Sequence, residues 1–176
     1  MGASSPSAEG RFDAQALEDL YVRLERSLHN VVYRWLWDDA EAADVVQEAF
    51  VKLWDKRASV RAETVEPFVY RIALNLASNR RRARKVRRHV QLESAEPTTE
   101  VTAATMLETR EREAKVRAAV EALPDELRQI VVLTEMSELS YAQVAEVVGI
   151  PEGTVGSRRH RALAALRDRL AEVHGE

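Results

Sequence analysis

The sequence predicts an all-α fold: two small helical domains joined by a flexible acidic linker. Three observations carry that expectation. Apolar residues recur three or four positions apart through most of the chain, and no alternation of strand type survives comparison with that period. Breakers fall at few places, with Pro97, Pro124, Gly149 and Pro151 all at boundaries between periodic stretches. Charge is segregated: residues 80–88 read RRRARKVRR, seven basic residues without an acid, whereas acids outnumber bases across residues 91–127.

Taken in order, residues 1–10 are rich in Ser, Ala and Gly and are expected to be disordered. Leu17, Leu20, Leu24, Leu28, Val31, Val32 and Trp35 then mark a long amphipathic helix over about residues 13–37. Asp38 and Asp39 interrupt it and are placed to cap a second helix. Ala42, Val45, Val46, Ala49, Phe50, Leu53 and Trp54 form that helix's apolar stripe, with Asp44, Gln47, Glu48 and Lys52 on its polar side. Residues 56–66 lack a period and read as a loop. Pro67 opens a third helix, with Phe68, Val69, Ile72, Ala73 and Leu76 inward and the arginine block at its far end. These helices make a first domain over residues 11–89. The linker spans residues 90–105, and a second domain spans residues 106–172.

In that second domain a helix near Met106 carries Leu107, Val116, Val120 and Leu123. Another begins after Pro124 and buries Leu127, Ile130, Val131 and Leu133. Residues 140–170 then read SYAQVAEVVGIPEGTVGSRRHRALAALRDRL. Ser140 with Gln143 three residues on has the capping-box pattern. Tyr141, Val144, Ala145 and Val148 give the short helix one apolar face, Gly149 suits a left-handed stop, and Pro151 suits a new first turn. The next helix turns Val155, Ala162, Leu163, Leu166 and Leu170 inward and Ser157, Arg158, Arg159 and Arg161 outward. That is the plan of a helix-turn-helix whose second helix enters a DNA major groove. A surface hairpin with solvated arginines is the plainer alternative.

At 176 residues, 45% hydrophobic and 31% charged, the chain has the composition of a soluble folded protein. No apolar run approaches the roughly 20 residues of a membrane span, and no membrane insertion is expected. The N-terminus has neither the basic leader nor the apolar core of a secretory signal. The absence of cysteine fits a reducing cytoplasm. Enzyme chemistry is not expected. His29, His89, His160 and His174 are scattered without metal-ligand spacing, no Gly-rich phosphate loop is present, and the carboxylates lie on polar helix faces. Neither a metal nor a cofactor is expected.

Four segments support a family resemblance: DVVQEAFVKLW (residues 44–54), PFVYRIALNLASNRRRARK (67–85), LPDELRQIVVL (123–133) and LSYAQVAEVVGIPEGTVGSRRHRAL (139–163). Their order along nearly the whole chain resembles the bacterial sigma factors of the extracytoplasmic-function (ECF) group, within the sigma-70 family. The resemblance implies an alternative sigma factor that binds core RNA polymerase and recognises −10 and −35 promoter elements. Asp44, Gln47 and Glu48 would contact the polymerase, on the clamp helices of its β′ subunit, with a further contact to the β subunit. Asn75, Asn79, Arg80, Arg81 and Arg84 would hold −10 DNA, and Thr154, Ser157, Arg158 and Arg161 would hold −35 DNA. Such proteins work in the cytoplasm and are commonly held inactive by an anti-sigma factor, often at the membrane.

Two departures bear on promoter use. Family members commonly carry Trp where this chain has Phe68, although Tyr70 follows nearby and keeps an aromatic in the stretch. The position before Ser157 is usually basic and here is Gly156, which removes one groove or phosphate contact. The acidic linker reads equally as a segment threaded into the polymerase or as a solubilising spacer. A stand-alone helix-turn-helix regulator, with the N-terminal half for dimerisation or effector binding, is the alternative function. A protein-interaction module that merely keeps the fold is a third.

Overall fold

The computed structural model describes residues 12–90 and 104–172. The first helix, α1 (Ala14–Leu36), starts where the Asp13 carboxylate accepts the Ala16 N–H at 2.9 Å. It stops at Trp37, which adopts φ 55 and donates its N–H to the Tyr33 carbonyl. Left-handed backbone is uncommon for a bulky side chain. Packing holds it there: the Trp37 ring lies edge-on to Tyr33 at 5.7 Å, with the Arg34 guanidinium 5.0 Å from its centroid. The turn is short because Asp38 immediately caps α2 (Asp39–Asp55) by accepting the Glu41 N–H at 2.9 Å. That hydrogen bond, more than the neighbouring Arg84, holds the Asp38 carboxyl below its ordinary range against the opposing effect of burial.

The loop expected over residues 56–66 is instead two short 3₁₀ turns, Arg57–Ser59 and Ala62–Thr64, and α3 (Val65–Val90) begins two residues before Pro67. Proline is tolerated there because N–H groups in the first turn have no intrahelical partner to lose. Leu28, Val31, Val32, Val45, Leu53 and Val69 are fully buried where α1, α2 and α3 meet. Among them sits Tyr70, whose hydroxyl lies 2.7 Å from Ser27 Oγ.

Four helices follow: α4 (Ala104–Glu121), α5 (Asp125–Met136), α6 (Tyr141–Val148) and α7 (Glu152–Glu172). Ser140 caps α6 in a reciprocal box: Gln143 N–H reaches Ser140 Oγ at 3.2 Å and Ser140 N–H reaches Gln143 Oε1 at 2.8 Å. Gly149 closes the helix at φ 74, which glycine adopts without steric cost. Ile130, Leu133, Val144, Val155 and Ala162 close the core between α5, α6 and α7. Tyr141 departs from its expected place on the apolar face of α6: at the first position of that helix it is 41% exposed.

The two helical groups also touch. α1 packs on α5 and α3 packs on α6, and the buried side chains of both groups join in one cluster. The N-terminal stretch expected to be disordered (residues 1–10) and most of the acidic linker, with Glu93, Glu96 and Glu100, lie outside the described residues.

Candidate polymerase and nucleic-acid interface

The polymerase-facing residues expected on α2 do not share one environment. Asp44 and Gln47 are exposed, beside Val51, an apolar side chain 60% exposed. Gln47 also borders a 280 Å³ groove between α1 and α2 lined by Tyr21, Glu25, His29 and Val46. Glu48, expected on the free polar face, is half-buried and already engaged. Arg80 Nη2 donates to its carboxylate at 3.0 Å and Lys52 Nζ lies 3.5 Å away. A residue of the expected polymerase face is thereby tied to one of the expected −10 DNA face.

The arginine-rich end of α3 divides in the same way. Arg80 also donates to the Glu41 carbonyl and lies 3.9 Å from Asp44. Arg84 bonds Asp38 at 2.9 Å, Glu41 at 2.8 Å and the Leu36 carbonyl at 3.2 Å. Arg80 and Arg84 therefore bolt α3 to the α1–α2 corner, because their helix positions face α2 rather than solvent. Arg81 pairs with Asp125 of α5 at 3.0 Å. Arg82, Lys85 and Arg87 are exposed and make no ion pair among the described residues. Within the basic run the sequence does not separate these three from Arg80, Arg81 and Arg84; their position on the helix, read against α2, does.

Asn75 and Asn79 are both exposed, and Asn79 Oδ1 accepts from Arg82 at 3.1 Å. Phe68 is half-buried against the core. Tyr70 is 1% exposed, and burial pushes its phenol up to about 12, so it offers no aromatic face to a nucleobase. Of the two aromatics in this stretch, Tyr70 is thus enclosed in the core and Phe68 is the partly exposed one.

On α7, Ser157 Oγ donates back to the Thr154 carbonyl at 3.0 Å, with Thr154 half-buried and Ser157 exposed. Arg161 is exposed and makes no ion pair among the described residues. Arg158 and Arg159, expected to point freely outward, are half-buried. Arg158 lies 3.5 Å from Glu126 and Arg159 bonds Glu135 at 2.7 Å. Gly156 is not sterically required: a Cβ there would meet only the Tyr141 ring, at 3.7 Å, an ordinary contact.

One structural residue escaped the sequence reading. Arg128 is 2% exposed and donates to the carbonyls of Val120, Glu121 and Leu123, capping the end of α4. A charged residue at an apolar period position was the available signal.

Among the described residues, no group of three or more His, Asp or Glu side chains is placed to hold a metal ion, and no helix is long and apolar enough to cross a membrane. What the molecule presents is one helix face of acid, amide and valine, and two helix faces of amide, hydroxyl and guanidinium groups. Guanidinium and hydroxyl groups on exposed helices suit phosphates and base edges.

Comparison with known proteins agrees with that division. Residues 20–87 match the family Sigma-70 region 2, and residues 113–166 match Sigma-70, region 4. The region 2 match occupies the half that a stand-alone regulator would need for an effector domain. The RNA polymerase sigma-H factor of Pseudomonas aeruginosa is 34% identical, across 89% of this chain and 86% of its own. The ECF sigma-E factor of Escherichia coli (strain K12) is 30% identical, across 90% and 88%. The ECF factor SigW of Bacillus subtilis (strain 168) is 29% identical across 92% of both chains. In fold, the chain resembles CnrH, solved with the cytosolic domain of CnrY, at a TM-score of 0.69 and 21% identity over 91% of this chain and 90% of that one. It resembles the sigma factor RpoE of Bartonella quintana, solved with the anti-sigma factor NepR, at 0.69 and 20% identity over 90% and 98%. With both conserved regions present in order on one helical chain, the protein belongs to the sigma-70 family as an RNA polymerase sigma factor of the ECF group.

Proposed function

We propose that this alternative sigma factor, which directs promoter-specific transcription initiation, divides its three tasks among α2, α3 and α7. The exposed α2 face of Asp44, Gln47 and Val51 docks on the clamp helices of the polymerase β′ subunit, with Glu48 held in register by Arg80 beneath it. Carboxylate and amide groups at such a contact set orientation more than affinity. The second helical group contacts the β subunit.

Asn75 and Asn79 read the −10 element while Arg82, Lys85 and Arg87 take its phosphates. Arg80 and Arg84 act as bolts rather than ligands, and Arg81 reaches DNA once it leaves Asp125. On α7, Arg161 reads the −35 element with Thr154, Ser157 and Arg158 around it. One observation supports the reading most: exposed guanidinium groups stand on two separate helices of one chain, with amides beside them on α3 and a hydroxyl on α7, and α2 presents an acidic docking face. The solved relatives in complex with CnrY and NepR support an anti-sigma partner for this chain as well. It would act in the cytoplasm, where an anti-sigma factor tethered to the membrane would hold it until a signal arrives.

The test is run-off transcription with purified core polymerase on genomic promoter fragments, with and without this chain. A promoter-dependent transcript is expected only in its presence. A transcript independent of the chain, or a footprint on a palindrome by the chain alone, would overturn the reading. In parallel, a D44A/Q47A variant is expected to lose polymerase pull-down with unchanged helical circular dichroism. Undiminished pull-down would move the docking face elsewhere.

A further inference from the structure

The flank of α7 that faces the start of α6 holds residues to which the proposed function gives no task. Gly156 is half-exposed there, and a Cβ on it would stand 3.7 Å from Tyr141 Cε2 and meet nothing else within 4 Å. Its backbone is not left-handed, since Gly149 is the only positive-φ glycine among the described residues. Alanine is the better helix former, so neither packing nor backbone geometry accounts for glycine at this place. Tyr141, the neighbour across that gap, is exposed rather than part of the core. Its hydroxyl lies against the Arg159 guanidinium as a second partner after the Glu135 carboxylate, which Arg159 bonds at 2.7 Å. The ring is thus anchored at its hydroxyl end, with one edge toward the bare backbone of Gly156.

His160 shares this flank, because residues four apart on a helix lie one above the other. It is exposed and, among the described residues, makes no hydrogen bond, ion pair or ring contact. Arg158, two residues on from Gly156 and so on the far side of α7, is half-buried and paired with Glu126. Ser157 and Arg161 stand between the two flanks. The side of α7 left open to a groove therefore centres on Ser157, His160 and Arg161, with Tyr141 at its border.

We infer that Tyr141 and His160 are specificity-determining residues for −35 DNA, which read base edges along the flank that Gly156 leaves bare. The inference deepens the assignment of α7 to −35 DNA and rests on it. A bare backbone lets the groove approach closely, within reach of a ring carried by the neighbouring helix. The Tyr141 ring packs on a thymine methyl, and the His160 imidazole, which carries an N–H in either protonation state, donates to a purine N7.

The test is run-off transcription by core polymerase with the full chain, on promoters randomised over the −35 element, with the transcribed templates sequenced. H160A should lower the purine preference at one step roughly fivefold, the low end of a base contact. Y141A should lower the thymine preference at a neighbouring step roughly three- to fivefold, and Y141F, which keeps the ring, should retain it. An arginine at position 156 has to push past the Tyr141 ring. G156R should therefore change the preference at the step that Y141A flattens, and adding Y141A to G156R should change that step no further. Polymerase pull-down should match the parent throughout.

Base preferences in H160A and Y141A that equal the parent's at every step, while R161A alters them, would overturn the inference. So would G156R and Y141A acting on different steps. If R161A also leaves every preference unchanged, the assignment of α7 to −35 DNA itself falls, and this inference with it.

Discussion

Replacing Arg128 with methionine isolates the contribution of a charge buried inside the second helical group. The guanidinium is 3% exposed and bonds the Val120 carbonyl at 2.9 Å and the Leu123 carbonyl at 2.8 Å, with a further bond to Glu121. The Val120 carbonyl also accepts the Leu123 N–H at 3.2 Å, whereas Glu121 and Leu123 present carbonyls at the end of α4 and in the turn to α5 where helix geometry supplies no partner. Methionine fills similar volume and leaves those two without the guanidinium. A buried group that loses its partner costs about 1–3 kcal/mol, and partial rehydration near exposed Glu121 offsets some of the total. Because the variant removes the buried charge itself and Asp125 is 76% exposed, no unpaired buried charge remains, and the lost carbonyl bonds set the expected destabilisation at about 2–4 kcal/mol. For a chain of this length each kcal/mol lowers Tm by about 2–4 °C, so R128M should melt roughly 5–10 °C below the parent.

The assay is thermal unfolding followed by far-ultraviolet circular dichroism, with R128K alongside. Lysine keeps the charge but not the planar fork, so it should fall between the two. A Tm for R128M within about 2 °C of the parent would show that the carbonyls find water or other donors, and would refute Arg128 as the cap that joins α4 to α5.

Other outcomes follow from the same geometry. Burial pushes the Tyr70 phenol up to about 12, so the native state holds it neutral where an unfolded chain ionises near 10. That stability is complete below about pH 10 and lost as pH rises from 10 to 12; Y70F should flatten the loss in alkaline denaturation, and identical alkaline profiles would count against it. R80A and R84A should lower Tm, because both arginines tie α3 to α2. R82A/K85A/R87A should leave Tm unchanged and make the salt dependence of single-strand binding shallower by about 2 in slope, read from affinity against salt concentration. An unchanged slope would remove those residues from the phosphate contact. R161A should cost about 1–3 kcal/mol at promoters that depend on the −35 element while polymerase binding persists, measured by competitive run-off transcription.

The elements themselves were legible from residue order. Asp38 as a cap, the Ser140–Gln143 box and Gly149 as a stop are local chemistry, set by neighbours within four positions, and each stands where the spacing placed it. The start of α3 at Val65 was missed because a proline was read as the first helical residue, when it is tolerated throughout the first turn. Tyr141 was misread because helical spacing says which face a residue is on but not whether the neighbouring helix extends far enough to cover it. Arg128 was missed because periodicity scores a buried arginine as a polar exception, and its partners are carbonyls that carry no signature in the sequence.

By itself the sequence determined the all-α class, the order of helices and the chemistry each face carries, because these depend on period, capping and composition within short windows. It also carried the family, since four motifs stand in order along one chain. Only the tertiary structure decided which charges are free. Seven basic residues in one run are equivalent when read as a line. Folded against α2 and α5, Arg80 and Arg84 become bolts, Arg81 pairs with Asp125, and Arg82, Lys85 and Arg87 stay exposed outside any ion pair among the described residues. The reason is geometric: a helix distributes consecutive side chains around its whole circumference, and partners dozens of residues away decide which part of that circumference meets water.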